Sequence, residues 1–317
     1  MRRVLLTACL FAAVGALTPA RPAAAQSGTP PATPWDRCID VNAPGADRIF
    51  ACTQVIDSKA ETGRRLAGAY CIRGHELTEK RELDAALADL DAAITADSTY
   101  ACAFNNRGRV YGFKGDYDRA IADYDEAIRL GPQMVLAYNN RGDAWHHKGD
   151  LARAVGDFTV AIRLDPGYAR AYANRGYVRY KQRDLARAIE DLSVQIRIRP
   201  DVLAYINRGN AYRDGEQLER AAADYTAAIR LAPNDARGWR NRGLIRLFQE
   251  NYKAGIADYD KALEYDPADA YSWNNRGQAK LRLNDRKGAI ADFRKALEVR
   301  PELNTATTAL RQLGVAP

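Results

Sequence analysis

Histidine occurs only three times in 317 residues, which leaves most of the chain without the commonest general base and metal ligand. His146 and His147 are neighbours, and neighbouring side chains on a helix diverge rather than chelate. They read as lacking a Cys or acidic partner at ligand spacing, and His75 stands alone, so no metal is expected. There is no glycine-rich phosphate loop and no nucleophile elbow. No cofactor and no catalytic residue is expected, and the chain reads as non-enzymatic. A block of Lys and Arg resembling a nucleic-acid arm is also missing, which removes nucleic acid as a partner. No apolar run is long enough, or suitably flanked, for a good membrane span.

The most apolar stretch, Val4 to Thr18, follows the basic start Met1-Arg2-Arg3 and precedes the small residues Ala23-Ala24-Ala25. That layout is a secretory signal peptide over 1–25, so the expected product is exported, periplasmic or secreted. Leu6-Thr7-Ala8-Cys9 resembles a lipoprotein box, but only eight residues precede Cys9, which argues against lipid anchoring. The formal charge of +7 includes Arg2, Arg3 and Arg21, so the mature chain keeps +4.

Four cysteines remain after cleavage: Cys38, Cys52, Cys71 and Cys102. An oxidising compartment favours disulfides. Cys38 with Cys52 is the preferred pair, because the turn Asn42-Ala43-Pro44-Gly45 folds the chain back between them. For Cys71 and Cys102 a bridge and two buried thiols both stand. Residues 26–34, rich in Pro, Ser, Thr and Gly, are expected to form a disordered leader. Residues 35–66 are expected to form a Cys-containing N-terminal cap, in which Ile49 to Ile56 looks like a degenerate half-repeat.

Beyond the cap the chain repeats itself. NRG recurs at Asn106, Asn140, Asn174, Asn207, Asn241 and Asn275, at spacings of 34, 34, 33, 34 and 34. Each unit carries two helical patterns, clearest in LAYNNRGDAWHHKGD followed by LARAVGDFTVAIRLDP, with Lys148-Gly149-Asp150 as the break. A helix-turn-helix unit with this period predicts an all-α solenoid of seven repeats over 67–300, closed by a C-terminal capping helix within 301–317.

Tyr138, Gly142, Trp145, Ala154, Phe158, Ala161 and Pro166 make the pattern resemble the tetratricopeptide repeat. The likeness recurs seven times between Ala67 and Pro301. It implies a right-handed superhelical solenoid whose concave face takes protein segments. The chain departs from the family at Ile72, where the other repeats have Asn, at Ser98, where Pro is usual, and at the Arg that replaces Leu before each Gly. The junction IRIRPDVLAY is one residue short.

The three letters of NRG fall in different environments on a helical wheel. Gly142 and its equivalents Gly74, Gly108, Gly176, Gly209, Gly243 and Gly277 lie on the face that meets the second helix, where a missing side chain permits close approach. Arg141 shares that face, where an unpaired cation is costly, and Asp157 follows sixteen residues later. The same separation joins Arg73 to Asp89, Arg107 to Asp123, Arg175 to Asp191, Arg208 to Asp224, Arg242 to Asp258 and Arg276 to Asp292, so seven structural ion pairs are expected. Asn140 points away from the packing face. An amide there can meet a peptide N–H and C=O together. The resemblance implies that Asn106, Asn140, Asn174, Asn207, Asn241 and Asn275 form a ladder holding an extended peptide by its backbone.

Around the ladder, Arg170, Tyr177, Tyr180, Lys181, Arg213, Arg237 and Arg240 form a basic, aromatic stretch suited to an acidic or C-terminal segment. The carboxylate clamp of chaperone-binding relatives is not matched. The expected function is a protein-interaction module that binds an extended segment of a partner protein in its groove. The alternative is a structural adaptor of an envelope complex, working through its convex face or edges.

Overall fold

The computed structural model describes residues 33–316. The expected signal peptide, Cys9 and the leader up to residue 32 lie outside the described residues. Seventeen helices and no strand occur among those described. A cap of α1 (Pro34–Ile39) and α2 (Gly45–Asp57) precedes the hairpins α3 (Gly63–Glu79) with α4 (Leu83–Ala96), α5 (Ala101–Phe113) with α6 (Tyr117–Leu130), and α7 (Val135–His147) with α8 (Leu151–Leu164). Then come α9 (Ala169–Lys181) with α10 (Leu185–Ile198), α11 (Val202–Asp214) with α12 (Leu218–Leu231), α13 (Ala236–Phe248) with α14 (Tyr252–Tyr265), and α15 (Ala270–Arg282) with α16 (Arg286–Val299). A single helix, α17 (Asn304–Gln312), follows. The chain divides into two compact units, one ending at Pro166 and one beginning at Gly167.

The cap is more ordered than its composition suggests. Thr33 and Asp36 form a reciprocal capping box, and Pro34 occupies the first turn of α1, where its missing N–H costs nothing. Helix α3 starts at Gly63, ahead of Ala67, because its first turn has a surface to pack on. The Arg65 guanidinium lies 4.8 Å from the Trp35 ring, and Gly68 faces the same indole. Cys38, Ala51, Cys52, Val55, Ala69 and Ile72 make one buried cluster, with the Cys38 and Cys52 sulfurs 2.07 Å apart. Ile72 thus belongs to the core under the cap, which explains the absence of Asn there. Cys71 and Cys102 are buried in the neighbouring core of the first hairpin.

Each hairpin is built alike. In the third, Ala154, Phe158 and Ala161 are fully buried. A Cβ built on Gly142 would stand 2.8 Å from Phe158 Cε1, so only glycine admits the ring. The first helix ends in a Schellman turn: Asp150 N–H donates to Trp145 O and Gly149 N–H to His146 O, both at 2.9 Å. Gly149 has φ +84°, but the same slot holds Arg81, Arg183, Glu216, Glu250 and Asn284 in other repeats, all at positive φ.

Within each unit the first helices touch their predecessors: α3 with α5 and α5 with α7 in one unit, α9, α11, α13 and α15 in sequence in the other. Second helices make no comparable mutual contact. The first helices therefore line the inner side of each unit.

Candidate functional site: the inner face and its arginine clamps

All seven arginines before the repeat glycines donate a two-pronged hydrogen bond from Nε and Nη2 to the aspartate sixteen residues later. Nε–Oδ2 distances are 2.7–2.9 Å and Nη2–Oδ1 distances 2.6–2.7 Å. The aspartates are only 1–7 % exposed, so the guanidinium is the group that makes their burial tolerable. An aromatic ring three residues earlier flanks each cation, at distances from 4.6 Å for Trp273 to 5.9 Å for Tyr205. The Asp157 hydrogen bonds raise the Arg141 pKa above its ordinary value against the opposing effect of burial, and Asp125 adds to the rise.

The third arm was not anticipated. Nη1 reaches back to the preceding second helix: Arg107 to Asp91 at 2.7 Å, Arg141 to Asp125 at 2.6 Å, Arg208 to Ser193 at 3.0 Å, Arg242 to Thr226 at 3.1 Å and Arg276 to Asp260 at 2.6 Å. Arg73 does the same to Thr53 of the cap, at 3.0 Å. The signal was in the chain. Two residues after the paired aspartate stands Asp91, Asp125, Thr159, Ser193, Thr226 or Asp260, always a short side chain carrying oxygen. In the last repeat that place is Arg294, and the residue 34 after Arg276 is Leu310. The acceptor is missing where no further arginine follows.

The asparagine row is not uniform. In the first unit its amides are already engaged within and between the first helices: Asn106 Nδ2 lies 3.2 Å from Cys71 Sγ, Asn105 Nδ2 donates to Asn106 Oδ1 at 3.3 Å, and Asn140 Nδ2 donates to Asn105 Oδ1 at 3.1 Å. Asn105 and Asn139, one place earlier, are buried. In the second unit Asn275 accepts from Asn274 at 3.0 Å, while the side chains of Asn207 and Asn241 have no hydrogen-bond partner among the described residues. Ile206 and Arg240 replace the neighbouring Asn there, which removes the internal partner.

Most of the expected basic stretch is answered internally. Tyr180 Oη donates to Asp214 Oδ2 at 2.7 Å, and Arg213 donates to Asp214 Oδ1 at 2.8 Å. Arg237 is forked on Asp235, and Arg240 lies 3.4 Å from Asp269. Lys181 sits 5.7 Å over the Tyr177 ring. Arg170 and Lys181 are exposed. At the end of the second unit, Gln278, Leu281 and Arg282 of α15 and Asn304, Thr305 and Thr308 of α17 line a cleft of about 630 Å³. Leu244, Leu247 and Phe248, the last of these 56 % exposed, continue this inner face on α13.

A sequence profile described as tetratricopeptide repeat matches residues 105–169, 152–201 and 243–304, and a second repeat profile matches 209–247. The chain belongs to the tetratricopeptide repeat family. Its members are in general protein-interaction modules. No curated protein matches the sequence of this repeat protein. Among solved structures it is similar to YrrB, a tetratricopeptide repeat protein with an unusual peptide-binding site, at 21 % identity and a TM-score of 0.52 over 59 % of this chain and 97 % of that one. PilF of Pseudomonas aeruginosa gives 16 % and 0.59, over 67 % and 97 %. The Cut9–Hcn1 assembly of the APC/C gives 17 % and 0.61, over 84 % of this chain and about half (52 %) of that one. At these identities the likeness is one of fold.

Proposed function

We propose that this repeat protein is a non-enzymatic interaction module whose inner face holds an extended segment of a partner protein. One observation carries the reading: on successive first helices of the second unit, half-buried Asn207 and largely buried Asn241, 9 % exposed, have no hydrogen-bond partner among the described residues, and the second of these helices also carries Leu244, Leu247 and Phe248. An amide offers donor and acceptor to a peptide backbone, and the apolar row takes side chains. The cleft between α15 and α17 extends the same face, and the peptide-binding site named for YrrB is consistent with it. Arg170 and Lys181 would favour an acidic or C-terminal segment. The Asn106 and Asn140 rungs contribute less, because their amides are engaged within and between the first helices. A Cys38–Cys52 bridge and the basic-apolar start of the chain fit an exported protein in an oxidising compartment. No helix among the described residues is long and apolar enough to cross a membrane.

Selection from a randomised linear-peptide display library against the wild type and against Asn207→Ala/Asn241→Ala tests the ladder. Each lost rung should weaken the selected peptides by about 1 kcal/mol, roughly fivefold. Equal affinity for both proteins would sink it. A second reading, an adaptor working through its edges, is supported by Ile198, Leu231, Tyr265 and Val299. These are the exposed last residues of α10, α12, α14 and α16. Partners lost from Leu231→Ser/Tyr265→Ser but kept by the Asn double variant would favour it.

A further inference from the structure

The expectation that His146 and His147 diverge is not what the structure shows. Their rings are 5.3 Å apart, and the two imidazoles together with Asp143 bring one ligand atom each within 4.8 Å of the others. The sequence reading passed over Asp143. It lies three and four residues before the histidines, so all three side chains leave α7 within about one turn. His147 Nε2 is 3.9 Å from Asp143 Oδ2. The His147 ring stacks on Tyr117 of α6 at 4.9 Å and 2°, which fixes the plane of one ligand before any ion arrives. Lys148, just past the end of α7, is held by Asp118 and the Trp145 ring.

We infer that Asp143, His146 and His147 form a binding site for a divalent transition metal of the zinc class. Imidazole with one carboxylate is the donor set that zinc, copper and nickel accept, whereas magnesium and calcium require oxygen alone. Ligand atoms around a tetrahedral zinc stand roughly 3.4 Å apart, from bond lengths of about 2.1 Å. The observed spread of up to 4.8 Å is within about 1.4 Å of that spacing. Asp143 and His147 are half exposed, so an ion can enter and water fills the remaining position. The third histidine is no competitor, because it is shielded by burial and hydrogen-bonded to Arg109.

The test uses the untagged chain stripped with a chelator, titrated with Zn²⁺ by calorimetry and with Co²⁺ by visible absorption. One ion per chain is expected, with no response to Mg²⁺ or Ca²⁺. His146→Ala, His147→Ala and Asp143→Asn should each weaken binding by at least about tenfold, with unchanged far-ultraviolet circular dichroism. His75→Ala should leave binding as in the wild type. Absence of stoichiometric binding overturns the proposal, and so does full affinity in any one of the three ligand variants.

Discussion

Arg141 belongs to two repeats at once: its Nε and Nη2 hold Asp157 of its own hairpin, and its Nη1 holds Asp125 of the hairpin before, at 2.6 Å. The two contacts differ in what they are worth. Asp157 is buried and Asp125 is more than half exposed. Asp125→Ala should therefore change stability by about 0–1 kcal/mol. Arg141→Leu, which restores the residue usual in the family, should cost about 3–5 kcal/mol because Asp157 stays buried without a counter-charge. Arg141→Leu/Asp157→Leu should recover most of that loss. Urea unfolding of the three variants checks the order. Arg141→Leu no less stable than Arg141→Leu/Asp157→Leu would show that the pair is not the reason for the arginine.

The glycines separate into places where a methyl group is harmful and places where it helps. Gly142→Ala puts a Cβ 2.8 Å from the Phe158 ring and should cost about 1–3 kcal/mol. Gly156 lies in the interior of α8 with nothing within 4 Å of its Cβ position. Gly156→Ala should stabilise by about 0.5–1 kcal/mol, since alanine loses less backbone entropy on folding. Thermal unfolding midpoints should move in opposite directions.

Five of the turns inside the hairpins hold a non-glycine residue in the left-handed region. Glu216 has φ +59° and Glu250 has φ +58°. Relief of the steric cost outweighs the extra entropy of the unfolded glycine. Glu216→Gly and Glu250→Gly should each stabilise by about 0.5–1 kcal/mol, and the gains should add because the sites lie in different repeats. A stability loss in either variant would contradict this account.

His75 should give the protein an acid-sensitive window. Burial first, and then Arg109, press its pKa from 6.5 to about 4, with Arg48 adding to the effect and Glu79 opposing it. The unfolded chain binds the proton near pH 6.5 and the folded chain does so only near 4. The contribution is therefore complete above the higher value and is lost progressively as pH falls to the lower one, at most about 3 kcal/mol. His75→Gln should flatten the difference in denaturation midpoints across that range. An identical pH profile for variant and wild type would remove His75 as the cause.

The repeat frame was legible because every hairpin states it again. Helices α5, α7, α9, α11, α13 and α15 begin at the residues where the 34-residue period opens each unit, and the sixteen-residue Arg–Asp separation needed no structure to be noticed. Contacts that depend on how two repeats are set against each other were harder to see. Asp214 answers Tyr180 across 34 residues, and Asp269 answers Arg240 across 29, so a row that looked basic in sequence is largely neutralised. Asn105 and Asn139 stand one place before the ladder asparagines and are buried. Contact between successive first helices buries them, and a wheel drawn for one helix carries no such information. Ligand atoms of Asp143, His146 and His147 come within 4.8 Å of one another, a proximity set by side-chain torsions that residue spacing does not give.

The arginine clamp also gives the array a direction and an end. Each of the first six hairpins carries an oxygen-bearing residue on its trailing side, and all seven carry a cation on the leading side, so copies can be added in one orientation and not reversed. At the last hairpin the acceptor has become Arg294, and the next helix offers buried Leu310 in place of a cation. That end is covered by α17, whose Ala306 and Leu310 are buried in one cluster with Phe293 and Ala296 of α16. Open head-to-tail association into fibres, the standing hazard of surfaces built to stack on copies of themselves, is countered at this end by a helix laid apolar side down over the stacking face.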